Sequence, residues 1–269
     1  MIDKLLYAAE IWGNTYYEVI EKTHMFACKK LLGVSARTPN LFIYAELNRY
    51  PLFIDSQLRT IRYWFKLLNL EETRIPKQAY QKVRREIGNK HSWGYKLKNM
   101  LDKGGYSNVW LDQRVENINS FFKGFKQRLI DMYWQDWHSK LMERDRFSIY
   151  RTFKEDHNCE EYLKMITVTK FRRIFTRTRL GIIDLNENKK FLNPLISRKC
   201  PFCETNETEL HFILFCPTYT QLRDKYITKH WPHVNNLTLK DLLSCQEQEN
   251  IQDLAMFLLY ALRRREQLL

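Results

Sequence analysis

The sequence predicts a mainly α protein, an irregular multi-helix array with a small Cys-Cys-His-Cys zinc module near the C-terminus. Three observations lead there. Only 8 Gly and 7 Pro punctuate 269 residues, which favours long helices over many short strands. Apolar residues recur at three- and four-residue steps along much of the chain. Hydrophobic residues make up 44% of it, with 16 Phe, 15 Tyr and 7 Trp, enough for one large core or two modest ones and too many for disorder throughout.

Taken in order, Tyr16 to Leu32 reads as a helix with Ile20, Phe26 and Leu31 on a buried face and Gly33 as its stop. Thr38-Pro39 reads as a cap followed by proline at the first helical position, opening a helix through Leu47. Pro51 restarts the chain, and Leu58, Ile61, Phe65 and Leu68 mark an amphipathic helix. Pro76 opens a shorter one, basic at Lys82, Arg84 and Arg85. Gly104-Gly105 is the clearest break. The stretch from Arg114 to Glu143 then keeps Val115, Ile118, Phe122, Phe125, Leu129, Met132 and Leu141 near one face, with Trp134 and Trp137 read as core.

Residues 155–161 read as a polar connector, Lys164 to Leu180 as helix, and Asp184 to Lys190 as loop. Thr238 to Asp241 has the form of a capping box. A last helix from about Ile251 to Leu268 is apolar at Leu254, Leu258 and Ala261 and closes on Arg263, Arg264 and Arg265, cations suited to a helix C-terminus.

The formal net charge is +13 and is unevenly spread. Residues 151–200 carry 12 Lys/Arg against 6 Asp/Glu, whereas residues 201–269 carry 7 against 9. A local excess of this kind suits a partner of opposite charge, with nucleic acid the leading candidate. No secretory signal and no apolar run of membrane-spanning length are visible. The expectation is therefore a nuclear or cytoplasmic protein with no membrane partner, not a secreted one, with reduced thiols. Cys28, Cys159 and Cys245 then read as core thiols.

The other three cysteines form a pattern. Cys200 and Cys203, with His211 and Cys216, give Cys-x2-Cys-x7-His-x4-Cys. A tight turn aims two sulfurs at one point and a second pair completes a tetrahedron, the arrangement of structural zinc. All four positions are filled by protein, so one structural ion is implied, with no open position for catalysis. Residues five apart do not stack on an ideal α-helix, so Cys216 is expected just past the last turn. Phe202, Phe212, Ile213 and Phe215 are expected to form the module's own small core. His230 and His233 with Cys245 are a weaker second grouping, read as a loop.

Ahead of this module lies a basic helix. At 100° per residue, Phe171, Ile174, Phe175 and Thr178 share one arc, flanked by Lys170, Arg173 and Arg177 on one side and Arg172 and Arg179 on the other. Lys189, Lys190, Arg198 and Lys199 add charge up to the metal motif. These nine cations are the candidate phosphate contacts. Arg263, Arg264 and Arg265 lie in the acidic tail and are expected to contribute less.

The chain lacks a Gly-rich phosphate loop, a Gly-x-Ser-x-Gly elbow, a zinc-deaminase signature and any adjacent Asp-Asp pair. No nucleophile–base pair stands out and no small-molecule substrate is implied, so the reading is of a non-enzyme.

Leu6-Tyr7 with Glu10-Ile-Trp-Gly13, then Tyr44-Ala-Glu-Leu-Asn-Arg-Tyr-Pro-Leu52, Gly105-Tyr106 with Val109-Trp110, Phe122, Arg128-Leu129 and Trp137 follow one another in an order that resembles the region after the polymerase palm of LINE-type non-LTR reverse transcriptases. Arg179-Leu-Gly-Ile-Ile-Asp-Leu185, Cys200-Pro-Phe-Cys203, Glu209-Leu-His-Phe212 and Cys216-Pro217, extended by Tyr219 and Leu222-Arg223, resemble that family's zinc-binding region. The resemblance implies a thumb-like segment at 1–50, a helical linker at 51–195 with its basic helix at 164–180, a zinc module at 196–235 and a helical segment at 236–269. It implies contact with element RNA or target DNA. The palm, its catalytic aspartates and any endonuclease are missing, so polymerase activity is not carried over. The alternatives are a zinc-stabilised protein–protein module and a folded relic without a selected role.

Overall fold

The computed structural model describes residues 2–269 apart from 86, 144–147, 155–157, 190–192, 194, 196 and 234–235. It is mainly helical, and no strand occurs among the described residues. In chain order the helices begin with α1 (Ile2–Leu5), α2 (Ala9–Trp12), α3 (Glu18–Leu32), α4 (Asn40–Glu46) and α5 (Leu52–Leu68). They continue with α6 (Ile75–Arg85), α7 (Trp93–Gly104), α8 (Ser107–Asp112), α9 (Ile118–Met142) and α10 (Ser148–Phe153). Then follow α11 (Tyr162–Met165), α12 (Thr169–Arg179), α13 (Asn186–Lys189), α14 (Thr220–Arg223), α15 (Leu239–Leu243) and α16 (Gln248–Leu268). Two π-turns (His211–Phe215 and Asp224–Thr228) flank α14.

The chain forms two compact units, one of Met1–Ala27 with Tyr50–His138, the other of Cys28–Arg49 with Ser139–Leu269. These limits cut across the four segments 1–50, 51–195, 196–235 and 236–269 expected from the sequence. The physical reason is visible in the second unit, where α4 supplies a buried carboxylate to partners more than a hundred residues downstream. Contacts of that range leave no local mark in a sequence.

The first unit is built on aromatic packing. The three- and four-residue repeat of α5 buries Ile61, Trp64 and Phe65, against Leu97, Met100 and Leu101 of α7, Val109 and Trp110 of α8, and Phe121 and Phe125 of α9. Trp64 stacks on Trp110 with ring centres 5.8 Å apart, and its indole N–H donates to the Tyr80 hydroxyl at 2.9 Å. Ser92 caps α7 by accepting the Tyr95 N–H at 3.1 Å, and Gly105 ends it at φ 84°. α2 lies close on α5 at Gly13, where a β-carbon would meet the Ser56 carbonyl oxygen at 2.4 Å. Trp134 and Trp137 are buried, as expected.

The second unit is built around α16, which buries Leu254, Ala255, Phe257, Leu258 and Ala261 completely. α12 packs along it, setting Phe171 edge-on to Tyr260, and buries Ile174 and Phe175. The capping box of α15 is present, with the Thr238 hydroxyl accepting the Asp241 N–H while the Asp241 carboxylate accepts the Thr238 N–H at 2.8 Å.

Three local expectations are corrected. On α3, Met25, Cys28 and Leu32 are buried, while Phe26 and Leu31 are 60% and 58% exposed. Met25, Cys28 and Leu32 fall within one arc of about 60° on the helix, whereas Phe26 and Leu31, five apart, stand about 140° from each other and cannot share a face. The predicted helix from Lys164 to Leu180 is two helices, because Ile166-Thr167-Val168 is a run of β-branched residues and Ile166 adopts an extended ψ of 96°. Pro39 occupies the cap position of α4 itself, with α4 opening at Asn40.

Candidate metal centre

The first two ligands sit on a hairpin. The Cys200 N–H donates to the Thr205 carbonyl at 2.6 Å, the Glu204 N–H to the Cys200 carbonyl at 3.1 Å, and the Glu207 N–H to the Arg198 carbonyl at 2.8 Å. Glu204 takes φ 58°, the left-handed position that tightens the turn. The turn brings the Cys200 and Cys203 sulfurs to a common point.

The second pair comes from a short helix whose start is fixed by Thr208, its hydroxyl accepting the His211 N–H at 3.1 Å. That helix does not continue as α. From His211 to Phe215 it is a π-turn, closed by the Cys216 N–H donating to the His211 carbonyl at 2.8 Å. A hydrogen bond from residue i to i+5 returns residues five apart to the same side. The spacing that an ideal α-helix cannot use is thus accommodated by winding the backbone more loosely, and Cys216 stands at the end of the turn with ψ 121°.

The four ligand atoms lie within 4.8 Å of one another, with Cys200 Sγ 3.9 Å from Cys216 Sγ and Cys203 Sγ 3.1 Å from His211 Nε2. Cys200 and Cys216 are buried, and Cys203 and His211 half-buried. Burial pushes the Cys200 thiol up to about 12, and the nearby Cys216 thiol adds to this. At Cys203 burial acts upward too, but hydrogen bonds from the Thr205 hydroxyl and backbone outweigh it and hold the thiol below its ordinary value. Burial lowers His211, favouring the neutral imidazole that a metal needs. Three sulfurs and a nitrogen at these separations could hold a metal ion.

Several residues that the spacing did not reveal support the ligands. Thr205 Oγ1 lies 3.3 Å from Cys203 Sγ and 3.1 Å from His211 Nδ1, bridging the two pairs. Arg223 donates from Nε to the Ile213 carbonyl at 2.9 Å and from Nη2 to the Cys216 carbonyl at 2.8 Å, satisfying acceptors that the π-turn leaves over. Glu207, fully buried, accepts from Arg265 Nε at 2.7 Å and Nη2 at 2.9 Å, and from the Asn186 N–H at 2.7 Å. The expected private core is corrected here. Phe212 packs on Tyr219 and on Phe257 of α16, and Phe215 is 46% exposed. The module is one edge of the second unit's core rather than a separate bead.

The nine proposed phosphate contacts fare unequally. Lys170, Arg173 and Arg177 are exposed along one row of α12. Arg173 lies against Gly33, whose φ of 68° and missing β-carbon admit the side chain, and Arg177 Nε donates to the Gly33 carbonyl at 3.2 Å. Arg172 is half-buried, with its guanidinium 3.5 Å from the Leu163 carbonyl. Lys189 pairs with Asp184 at 3.0 Å and Lys199 with Glu204 at 3.9 Å. Arg198 is exposed, and Lys190 lies outside the described residues.

Arg179 must be withdrawn. It is 1% exposed and donates to Glu46 Oε2 at 3.2 Å, to Glu160 Oε2 at 2.6 Å and to the Leu243 carbonyl. Tyr150 and Tyr162 donate to the same Glu46 carboxylate at 2.9 and 2.7 Å. Burial would lower the guanidinium pKa, but Glu46 and Glu160 outweigh it and hold Arg179 charged. A charge committed to two carboxylates in the interior has no phosphate to reach.

A second group, His230, Glu249 and Asp253, also brings three donor atoms within 4.8 Å. His230 Nε2 is 2.6 Å from Asp253 Oδ2, but the Lys229 ammonium lies 2.5 Å from the same oxygen. The protein supplies its own counter-cation there. Neither His233 nor Cys245 joins it, and Cys159 and Cys245 are half-buried rather than core thiols. No helix among the described residues is long and apolar enough to cross a membrane.

Comparison with protein-family models, with curated proteins and with solved structures gives no match.

Proposed function

We propose that this chain is a non-catalytic nucleic-acid-binding fragment, held in shape by one structural zinc ion and related to the region after the polymerase of LINE-type reverse transcriptases. The zinc assignment rests on the donor set. Zinc–sulfur bonds of about 2.3 Å set a tetrahedral sulfur–sulfur edge of about 3.8 Å, against the 3.9 Å between Cys200 and Cys216. The Cys203–His211 edge of 3.1 Å is tighter than the roughly 3.6 Å a zinc ion would set and would open slightly on binding. Four protein donors leave no position for water or substrate, so the ion would cross-link the hairpin to the π-turn and take no part in a reaction.

The observation that carries the nucleic-acid reading is the row Lys170, Arg173 and Arg177, exposed on a helix whose other faces are buried at Ile174, Phe175, Thr176 and Thr178. A row of cations fixed on a packed helix is suited to phosphates, which position a strand without reading its sequence. The second unit as a whole holds 26 Lys/Arg against 18 Asp/Glu. Filter binding on RNA, single-stranded DNA and duplex DNA across a salt series tests this. About three phosphate contacts should give a slope of log affinity against log salt of roughly −2 to −3. Replacing Lys170, Arg173 and Arg177 by Gln should flatten it on every sequence. Binding that ignores salt, or no binding at all, would overturn the reading, and reproducible primer extension would overturn its non-catalytic part.

A further inference from the structure

We infer that the groove between the π-turn Asp224–Thr228 and the C-terminal half of α16 is a stacking site for the bases of single-stranded nucleic acid. This deepens the nucleic-acid reading and rests on it. The groove is an open cavity of about 710 Å³. Two helical rows face each other across it. Tyr260, Arg263, Arg264 and Gln267 follow one another at steps of three, one and three along α16, a single helical face. Leu222, Lys225 and Tyr226 repeat the same spacing on the opposite wall.

The content of the groove is aromatic and cationic, without a carboxylate in its lining. Tyr226 and Tyr260 lie nearly parallel, 24° apart with ring centres at 5.9 Å, and both are half-exposed. Phe171 of α12 extends the series, 6.5 Å from Tyr260 and edge-on at 68°. Lys225 Nζ sits 5.1 Å above the Tyr226 ring and Lys170 Nζ 5.0 Å above Phe171. A core would bury such rings, and a solvated face would not carry them. Half-exposed rings bordered by Lys225, Arg263 and Arg264 bring together the two parts of a single-strand site: aromatic rings on which bases stack and cations for the backbone. Lys170 belongs to the exposed row of α12, so the groove continues that row rather than forming a separate patch. Arg263 and Arg264, which the acidic composition of the tail had marked as minor, become principal contacts. Arg265, the third of the run, is buried against Glu207 and takes no part.

A duplex keeps its base faces inside, so the groove should prefer single strands. Fluorescence anisotropy with labelled oligo(U), oligo(dT) and a duplex of equal length, on the full zinc-loaded chain, tests this. Tyr226→Leu with Tyr260→Leu keeps apolar bulk and removes the π faces. It should weaken oligo(U) or oligo(dT) binding on the order of tenfold per ring that carries a base, with the salt slope unchanged. Arg263→Gln with Arg264→Gln should instead flatten the slope by about one to two. Which oligonucleotide loses more tells RNA from DNA.

If the tyrosine variant matches the parent in circular dichroism and melting and binds single strands as the parent does, the groove is not the site. The α12 triple variant then reports separately on the wider reading. Loss of binding there, with the tyrosine variant intact, overturns the groove alone. A parent that binds no nucleic acid overturns both. Polyglutamate bound as tightly as oligo(U), regardless of the tyrosines, makes the groove an acidic-partner surface and overturns the stacking. A second measurement needs no substitution. Ultraviolet cross-linking of a 4-thiouridine oligonucleotide to the unaltered chain should label peptides containing Tyr226 or Tyr260. Labels confined to other peptides overturn the proposal.

Discussion

The two units solve the same problem with different forces. The first buries Trp64, Trp110, Phe65, Phe121 and Phe125 against aliphatic residues, and Glu21 is the only carboxylate among its buried described residues. The second buries Glu46, Lys154, Arg179, Glu207, Arg223, Asp253 and Arg265, and gathers three thiols and an imidazole at one edge. Apolar packing tolerates many arrangements of similar volume, whereas a buried charge accepts only the geometry in which its partner stands opposite. The second unit should therefore be the more exacting of the two, and the one whose shape depends on solution conditions.

The largest separation between the units should come from metal removal. Structural zinc contributes roughly 10–16 kcal/mol in small fingers, so a strong chelator or Cys203→Ser should expose the second unit around Phe212 to protease while the first stays resistant. Metal analysis should give about one zinc per chain. Equal protection of both units without metal would erase the distinction drawn here.

Next in size is Arg179→Met, which leaves Glu46 buried without its cation and should cost about 3–5 kcal/mol. Adding Glu46→Gln should recover part of the loss, because the two residues belong to one network. Denaturant unfolding of both variants measures this; strict additivity would mean that the pair is not coupled. In the first unit, Leu101→Ala should cost about 2–5 kcal/mol as a cavity. Its effect should not depend on pH, whereas the Arg179 variant's cost should fall in acid, where the carboxylates left without their cation take up protons.

The smallest effects lie at the capping box. Thr238→Ala should cost about 1 kcal/mol. The Asp241 carboxyl is held below the usual carboxylate range by the Thr238 hydroxyl and N–H. As pH falls, the unfolded chain binds that proton first, so the stabilisation is complete above about pH 4 and drains away through the lower folded value. Asp241→Asn should flatten the stability–pH curve in that window only. Unfolding midpoints at pH 5 and pH 3 would show it.

The same contrast decides what could be read from the sequence. The helices after Pro51 and Pro76 and the long α9, the burial of Trp134 and Trp137, the break at Gly104-Gly105 and the Thr238 cap are local signals and legible, whereas the short α1, α2 and α8 and the helix α7 carry no comparable periodic signal. The metal ligands are legible because their spacing is local as well. Arg179 is not. On its own helix it is one more cation in a basic run, and its burial depends on Glu46, 133 residues earlier. Thr205 and Arg223 escape for a related reason: hydroxyls and guanidines are common, and only the fold reveals which carbonyl or sulfur they face. The two tyrosines of the groove are 34 positions apart and carry no motif between them.

The π-turn between His211 and Cys216 makes this stretch a ruler. What it transmits to the metal is a number of residues rather than their chemistry. Exchanging Leu214 for another aliphatic residue would leave the count intact, and Phe215 faces partly outward already. Inserting one residue there would make the spacing six, which neither an α-turn nor a π-turn returns to the same side, and would swing the Cys216 sulfur out of reach although every ligand would still be encoded. At this place in the chain a frame-preserving gain of a single codon would be more damaging than most substitutions.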